Sequence, residues 1–195
     1  MKRLLFILLI PITACAPWTR VTGPFEGPAH HFSVDIPDGW MKFDSERYLL
    51  ISRDGPFLQY ILVEDRNLEA PFTHTKRRMN RDMLPQEAAE VILDDLSLDR
   101  AVRNPQVLEN APARIAHQDG FKILFTYKNG DGLVLKTLYY GFIKGRMFYS
   151  IRYTAAERYY FGKDLGTFKK VLAGFRLILD SSDKILEKIR FFAEL

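Results

Sequence analysis

"GLVLKTLYYGFIKGRMFYSIRYTA", residues 132–155, decides the fold. Two runs rich in aromatic and β-branched residues flank Lys144-Gly145, a turn pair, and the apolar periodicity is two rather than 3.6. They read as neighbouring antiparallel strands. In the second run, alternation puts Met147, Tyr149, Ile151 and Tyr153 on one face and Phe148, Ser150, Arg152 and Thr154 on the other. Upstream, Phe121, Ile123, Phe125 and Tyr127 alternate with Lys122, Leu124, Thr126 and Lys128. Asn129-Gly130-Asp131-Gly132 then supplies residues that accept positive φ in a tight turn, with Gly130 the expected carrier. The three strands form a meander.

Outward from this meander, the flanks read as helices. Leu165, Phe168, Val171 and Leu172 recur along one side of a helix over about 165–173. Beyond it, Ser181 or Ser182 is placed to cap an amphipathic helix over 180–195 whose stripe is Ile185, Leu186, Ile189 and Phe192. Phe191 falls on that helix's polar side, beside Lys184, Glu187 and Lys188. Towards the N-terminus, Pro85 suits the first turn of a helix over about 85–99, with Ala88, Val91, Ile92 and Leu96 at helical spacing. Residues 48–52 and 57–63 flank Arg53-Asp54-Gly55-Pro56 as a hairpin, and residues 31–36 alternate before the Pro37-Asp38-Gly39 turn and Trp40. Strands, helix, antiparallel strands and helices in that order predict an α+β fold with helices packed on an antiparallel sheet.

Three of these stretches together, "FSVDIPDGW" (32–40), the meander and "FKKVLAGFRL" (168–177), resemble the PsbP-like superfamily, which includes Ran-binding nucleotide-release factors and many bacterial lipoproteins. Phe32, Pro37, Gly39, Trp40, Tyr149, Tyr153, Phe168 and Phe175 occupy its matching positions. The resemblance implies an α/β/α sandwich around a central antiparallel sheet, over a domain at 30–179 extended by the C-terminal helix. Its motifs are packing motifs, so no activity transfers with them.

The N-terminus speaks to location. Lys2 and Arg3 precede the apolar run Leu4 to Ile12, about half of the ~20 residues that a membrane-spanning helix needs. Ile12-Thr13-Ala14-Cys15 is similar to the lipobox of bacterial lipoproteins, in which the thiol receives a diacylglycerol, the peptide is cut before the cysteine and the new amine is acylated. Residues 1–14 are thus the expected signal peptide and Cys15 the lipid attachment site. The proline- and glycine-rich residues 15–29 are the expected flexible tether. Ala16, where an Asp would commonly signal retention in the inner membrane, implies the outer membrane, facing the periplasm.

The formal charge is +4, and removing Lys2 and Arg3 leaves 26 basic against 24 acidic residues, too mild a bias for nucleic-acid binding. His30, His31, His74 and His117 lack the spacing of a helical zinc motif and are expected in solvent or turns, with His30 and His31 on opposite strand faces. With Cys15 lipidated no thiol is left for nucleophilic catalysis, and neither a Gly-x-Ser-x-Gly elbow nor a phosphate loop is present. Neither a metal nor a cofactor is expected. Candidate partner-binding residues are the basic run Lys76, Arg77 and Arg78, then Arg152 and Arg158 among the aromatics, and Phe191. The sequence favours a non-catalytic binding or assembly lipoprotein with a protein partner over a periplasmic hydrolase or small-ligand carrier.

Overall fold

The computed structural model describes residues 18–20 and 23–178. Along the chain, β1 (Thr19–Arg20), β2 (Gly23–Glu26), β3 (Phe32–Ile36), β4 (Met41–Asp44), β5 (Tyr48–Ser52) and β6 (Gln59–Asn67) come first. Helix α1 (Pro85–Leu98) precedes β7 (Arg103–Ile115), β8 (Gln118–Lys128), β9 (Val134–Lys144) and β10 (Met147–Ala156). Helix α2 (Tyr160–Ala173) and β11 (Arg176–Leu177) follow. Eight strands make one antiparallel sheet in the order β1-β4-β5-β6-β10-β9-β8-β7, and β11-β3-β2 make a small second sheet.

The two faces of β10 explain the layering. Tyr149, Ile151 and Tyr153 enter one core with Phe32, Trp40, Phe168 and Phe175, beneath α2 and the small sheet. Phe148 enters the other core with Phe121, Ile123, Phe125 and the buried side of α1. The result is an α/β/α sandwich on a central antiparallel sheet. Helix α1 starts where Pro85 needs no donor, and the Glu87 carboxylate accepts the Leu84 N–H at 2.8 Å. It buries Ala88, Ala89, Val91 and Ile92.

Close packing in the meander depends on one glycine. A Cβ on Gly141 would lie 2.5 Å from Cζ of Phe121 and 2.8 Å from Cζ of Phe148. Those two rings stack at 6.2 Å between centroids, so Gly141 is the gap that lets them meet.

Several expectations need correction. The expected tether over 15–29 does not hold at residues 19–20 and 23–26, which pair into the sheets as β1 and β2, with Phe25 buried. Pro24 is tolerated because β2 is an edge strand, and a single core aromatic leaves no periodicity to read. The positive φ of the β8–β9 turn belongs to Gly132, at +80°, and not to Gly130. There the Asn129 side-chain oxygen accepts the N–H groups of Asp131 and Leu133 at 3.0 and 2.9 Å. The meander has a fourth strand, β7, and α2 begins five residues before the expected 165, since Gly162 and Gly166 dilute its helical signal. The expected helix over 180–195 lies outside the described residues.

Candidate binding face

Arg152 lies on β10 opposite Tyr139 of β9 and Leu62 of β6, on the face that also carries Phe148. Its side chain is half-buried, and its Nε is buried without a hydrogen-bond partner among the described residues. Burial works against the guanidinium's charge. The facing oxygens of Tyr60, Glu64, Tyr139 and Tyr127 outweigh that penalty and hold the proton more tightly than in free arginine.

Two of the phenols around it, Tyr127 and Tyr139, stay neutral donors at ordinary pH. Burial pushes Tyr127 well above the usual tyrosine range, reinforced by Tyr60, to which it hydrogen-bonds. Burial does the same to Tyr139, which shares a hydrogen bond with Ser150. From Arg152 the same row crosses the sheet through Leu62, Leu50 and Phe43. Trp18 then packs on Phe43 at 6.0 Å, and Phe43 on Tyr48 at 6.0 Å. Leu50, Phe43, Tyr48 and Trp18 are half-buried, because α1 covers β7, β8 and β9 instead. A guanidinium, three phenols and one carboxylate beside an aromatic shelf can bind a carboxylate or carbonyl and stack on apolar groups.

The other candidate residues are not gathered here. Lys76, Arg77 and Arg78 are exposed on the connection between β6 and α1. Lys76 Nζ donates to the Thr73 carbonyl at 2.7 Å, and Arg77 pairs with Asp94 of α1. That connection meets β10 through Phe72 against Phe148, four residues before Arg152. Arg158 is exposed in the turn between β10 and α2. Cys15 and Phe191 lie outside the described residues.

The histidine expectation is overturned at His30. Its side chain is fully buried, with Nε2 3.0 Å from Asp44 Oδ1 and Nδ1 3.2 Å from Asp65 Oδ1. His31 converges on the same Asp65, through Nδ1 at 2.7 Å and its backbone N–H at 3.2 Å. The pair does not split across strand faces because both residues precede β3, which starts at Phe32. This cluster latches the β2–β3 connection to β4 and β6. A second latch joins the buried Asp164 of α2 to Arg53 at 2.8 Å, beside a Lys163–Asp54 pair at 2.7 Å. Nothing local in sequence signals either latch, since their partners are 14 to 111 residues apart.

No protein-family model matches the sequence, and neither does any curated protein. Solved structures do. Cyanobacterial PsbP from Synechocystis matches at TM-score 0.54 and 12% identity, over 86% of this chain and 96% of that one. The chain has a PsbP-like fold. The Ran-binding protein Mog1p of Saccharomyces cerevisiae matches at TM-score 0.54 and 10% identity, over 84% of this chain and 98% of its own. LpqN of Mycobacterium tuberculosis, described as involved in cell envelope biogenesis, matches at 0.51 and 12%, over 82% and 90%. The chain also spans half of a longer protein from Bacteroides thetaiotaomicron, at TM-score 0.51 and 13% identity over 83% of this chain. These likenesses carry the fold.

Proposed function

We propose that this protein is an envelope lipoprotein, acylated at Cys15 and held at the outer membrane facing the periplasm, that binds a protein partner without catalysing a reaction on it. The observation that carries the binding reading is the Arg152 cluster, where a guanidinium with a buried, unpartnered Nε lies opposite Tyr139 of β9 and Leu62 of β6. An arginine already partly desolvated among phenols loses less further hydration on docking, which favours a binding hot spot. Supporting it, Mog1p of the same fold is a Ran-binding protein, and LpqN is involved in cell envelope biogenesis. Among the described residues no helix is long and apolar enough to cross a membrane.

A photocrosslinking residue at position 60, beside Arg152, tests this in cells. A discrete protein adduct is expected. Arg152→Met should weaken its formation about thirtyfold, the scale of a hot spot of about 2 kcal/mol, while the purified domain keeps its fold by circular dichroism. Undiminished adduct in Arg152→Met would reject this face as the binding site. Cys15→Ser should separately abolish lipid labelling.

A further inference from the structure

Strand β1 is the first element after Cys15 among the described residues, and the chain between them is short. Only Ala16 and Pro17 separate Cys15 from Trp18, which already packs on Phe43. Three residues reach at most about 11 Å when fully extended. The headgroup layer on each side of a bilayer is itself about 5–8 Å thick. A lipid on Cys15 therefore leaves the domain almost no room to stand off from the surface.

We propose that the β1–β4 edge lies against the headgroup layer of the membrane that holds the acyl chains, with Trp18, Phe43 and Tyr48 in contact with it. This rests on the acylation of Cys15. The three rings form a continuous half-buried row, at 6.0 Å between successive centroids, beside the point where the anchored chain enters the fold. Trp and Tyr suit that layer because each joins an apolar ring to a polar tip. The charges on this edge nearly balance. Exposed Arg20 and Arg47 are offset by exposed Glu46, while Asp44 and Lys42 are turned to the other face. There Asp44 pairs with His30 at 3.0 Å and with Lys42 at 3.8 Å, and Lys42 lies over the Phe25 ring at 4.1 Å. The surface therefore fits a zwitterionic headgroup layer, and the rings rather than net charge make the contact. It also fixes orientation: β7, at the opposite end of the eight-stranded order, points away from the bilayer.

The sequence provides its own probe, since Trp18 and Trp40 are the two tryptophans and Trp40 is 2% exposed in the core. The full-length protein, purified from membranes, is reconstituted in phosphatidylcholine vesicles with either plain or brominated acyl chains. Brominated lipid should quench part of the emission. Trp18→Phe should lose that quenching and keep the Trp40 signal. A flexible Gly-Ser insert between Pro17 and Trp18 should leave the protein vesicle-bound and relieve the quenching. An acylated, vesicle-bound protein whose emission ignores the bromines overturns the proposed contact alone. A Cys15 peptide of unmodified mass, with no flotation of the protein on vesicles, overturns the lipoprotein reading and this proposal with it.

Discussion

On the face that α1 packs against, one half of the large sheet is sealed and the other is open. Phe121, Ile123 and Phe125 of β8 are 1%, 0% and 3% exposed, whereas Phe43 of β4 and Leu50 of β5 are half-buried. Composition does not separate them, since both halves place aromatic and aliphatic residues on this face. Connectivity does. Strand β6 sits mid-sheet and β7 at the far edge, so the chain between them must cross β10, β9 and β8, and it does so with α1. Tight turns join β4 to β5 and β5 to β6, so no connection passes over that half. The lesson is that the uncovered surface follows from the topology of the crossover.

The largest expected effect tests this division directly. Phe121→Ala removes a sealed ring stacked on both Tyr139 and Phe148 and should cost about 3–5 kcal/mol. Phe43→Ala removes a ring that still meets solvent, and a partial burial is worth about 1 kcal/mol. Urea denaturation of both variants measures the gap. Equal losses would mean that the β4–β5 half is covered after all.

A smaller effect probes the turn that sets register within the sealed half. Gly132 holds φ +80°, a conformation costing a β-branched residue about 1–2 kcal/mol, so Gly132→Val should lower the melting temperature by several degrees. Gly130 has ordinary φ, and a Cβ on it meets nothing within 4 Å. Gly130→Val should therefore leave the melt almost unchanged. A larger loss at Gly130 than at Gly132 would show that the turn is assigned to the wrong glycine.

Legibility followed the same physics. Strands β8, β9 and β10 alternate over ten or eleven residues, and the glycines and polar residues between them punctuate clearly, so the meander could be read from sequence. Arg152 stood out as a lone cation in an aromatic strand, but Tyr60, Glu64 and Tyr127 come to it from β6 and β8 through pairing that no local pattern encodes. Strands β1, β2 and β4, with two to four residues each, are too short to show a period. The histidine latch was misread for a related reason. His30 looks like a loop residue in sequence, and only the return of Asp44 and Asp65 from separate strands buries it.

Strand β7 was missed despite its length, and it supplies the smallest expected effect. Its Arg-Asn-Pro-Gln-Val-Leu-Glu-Asn-Ala-Pro-Ala-Arg-Ile sequence has two prolines and no alternation, because most of its side chains meet water on either face. An edge strand of 13 residues is a hazard for unwanted pairing, and this one carries its own protection. Pro105 and Pro112 lack N–H donors, and the register with β8 shifts between Arg103 and Gln106 and again between Val107 and Glu109. Val107 and Leu108, at 50% and 52% exposure, sit between those prolines. Val107→Lys and Leu108→Lys should each change stability by no more than about 0.5 kcal/mol in the isolated domain. Sedimentation of both variants should match that of the parent chain. A loss of about 2 kcal/mol, the scale of burying such a side chain, would show that the sealed half extends over β7 and that something covers its edge.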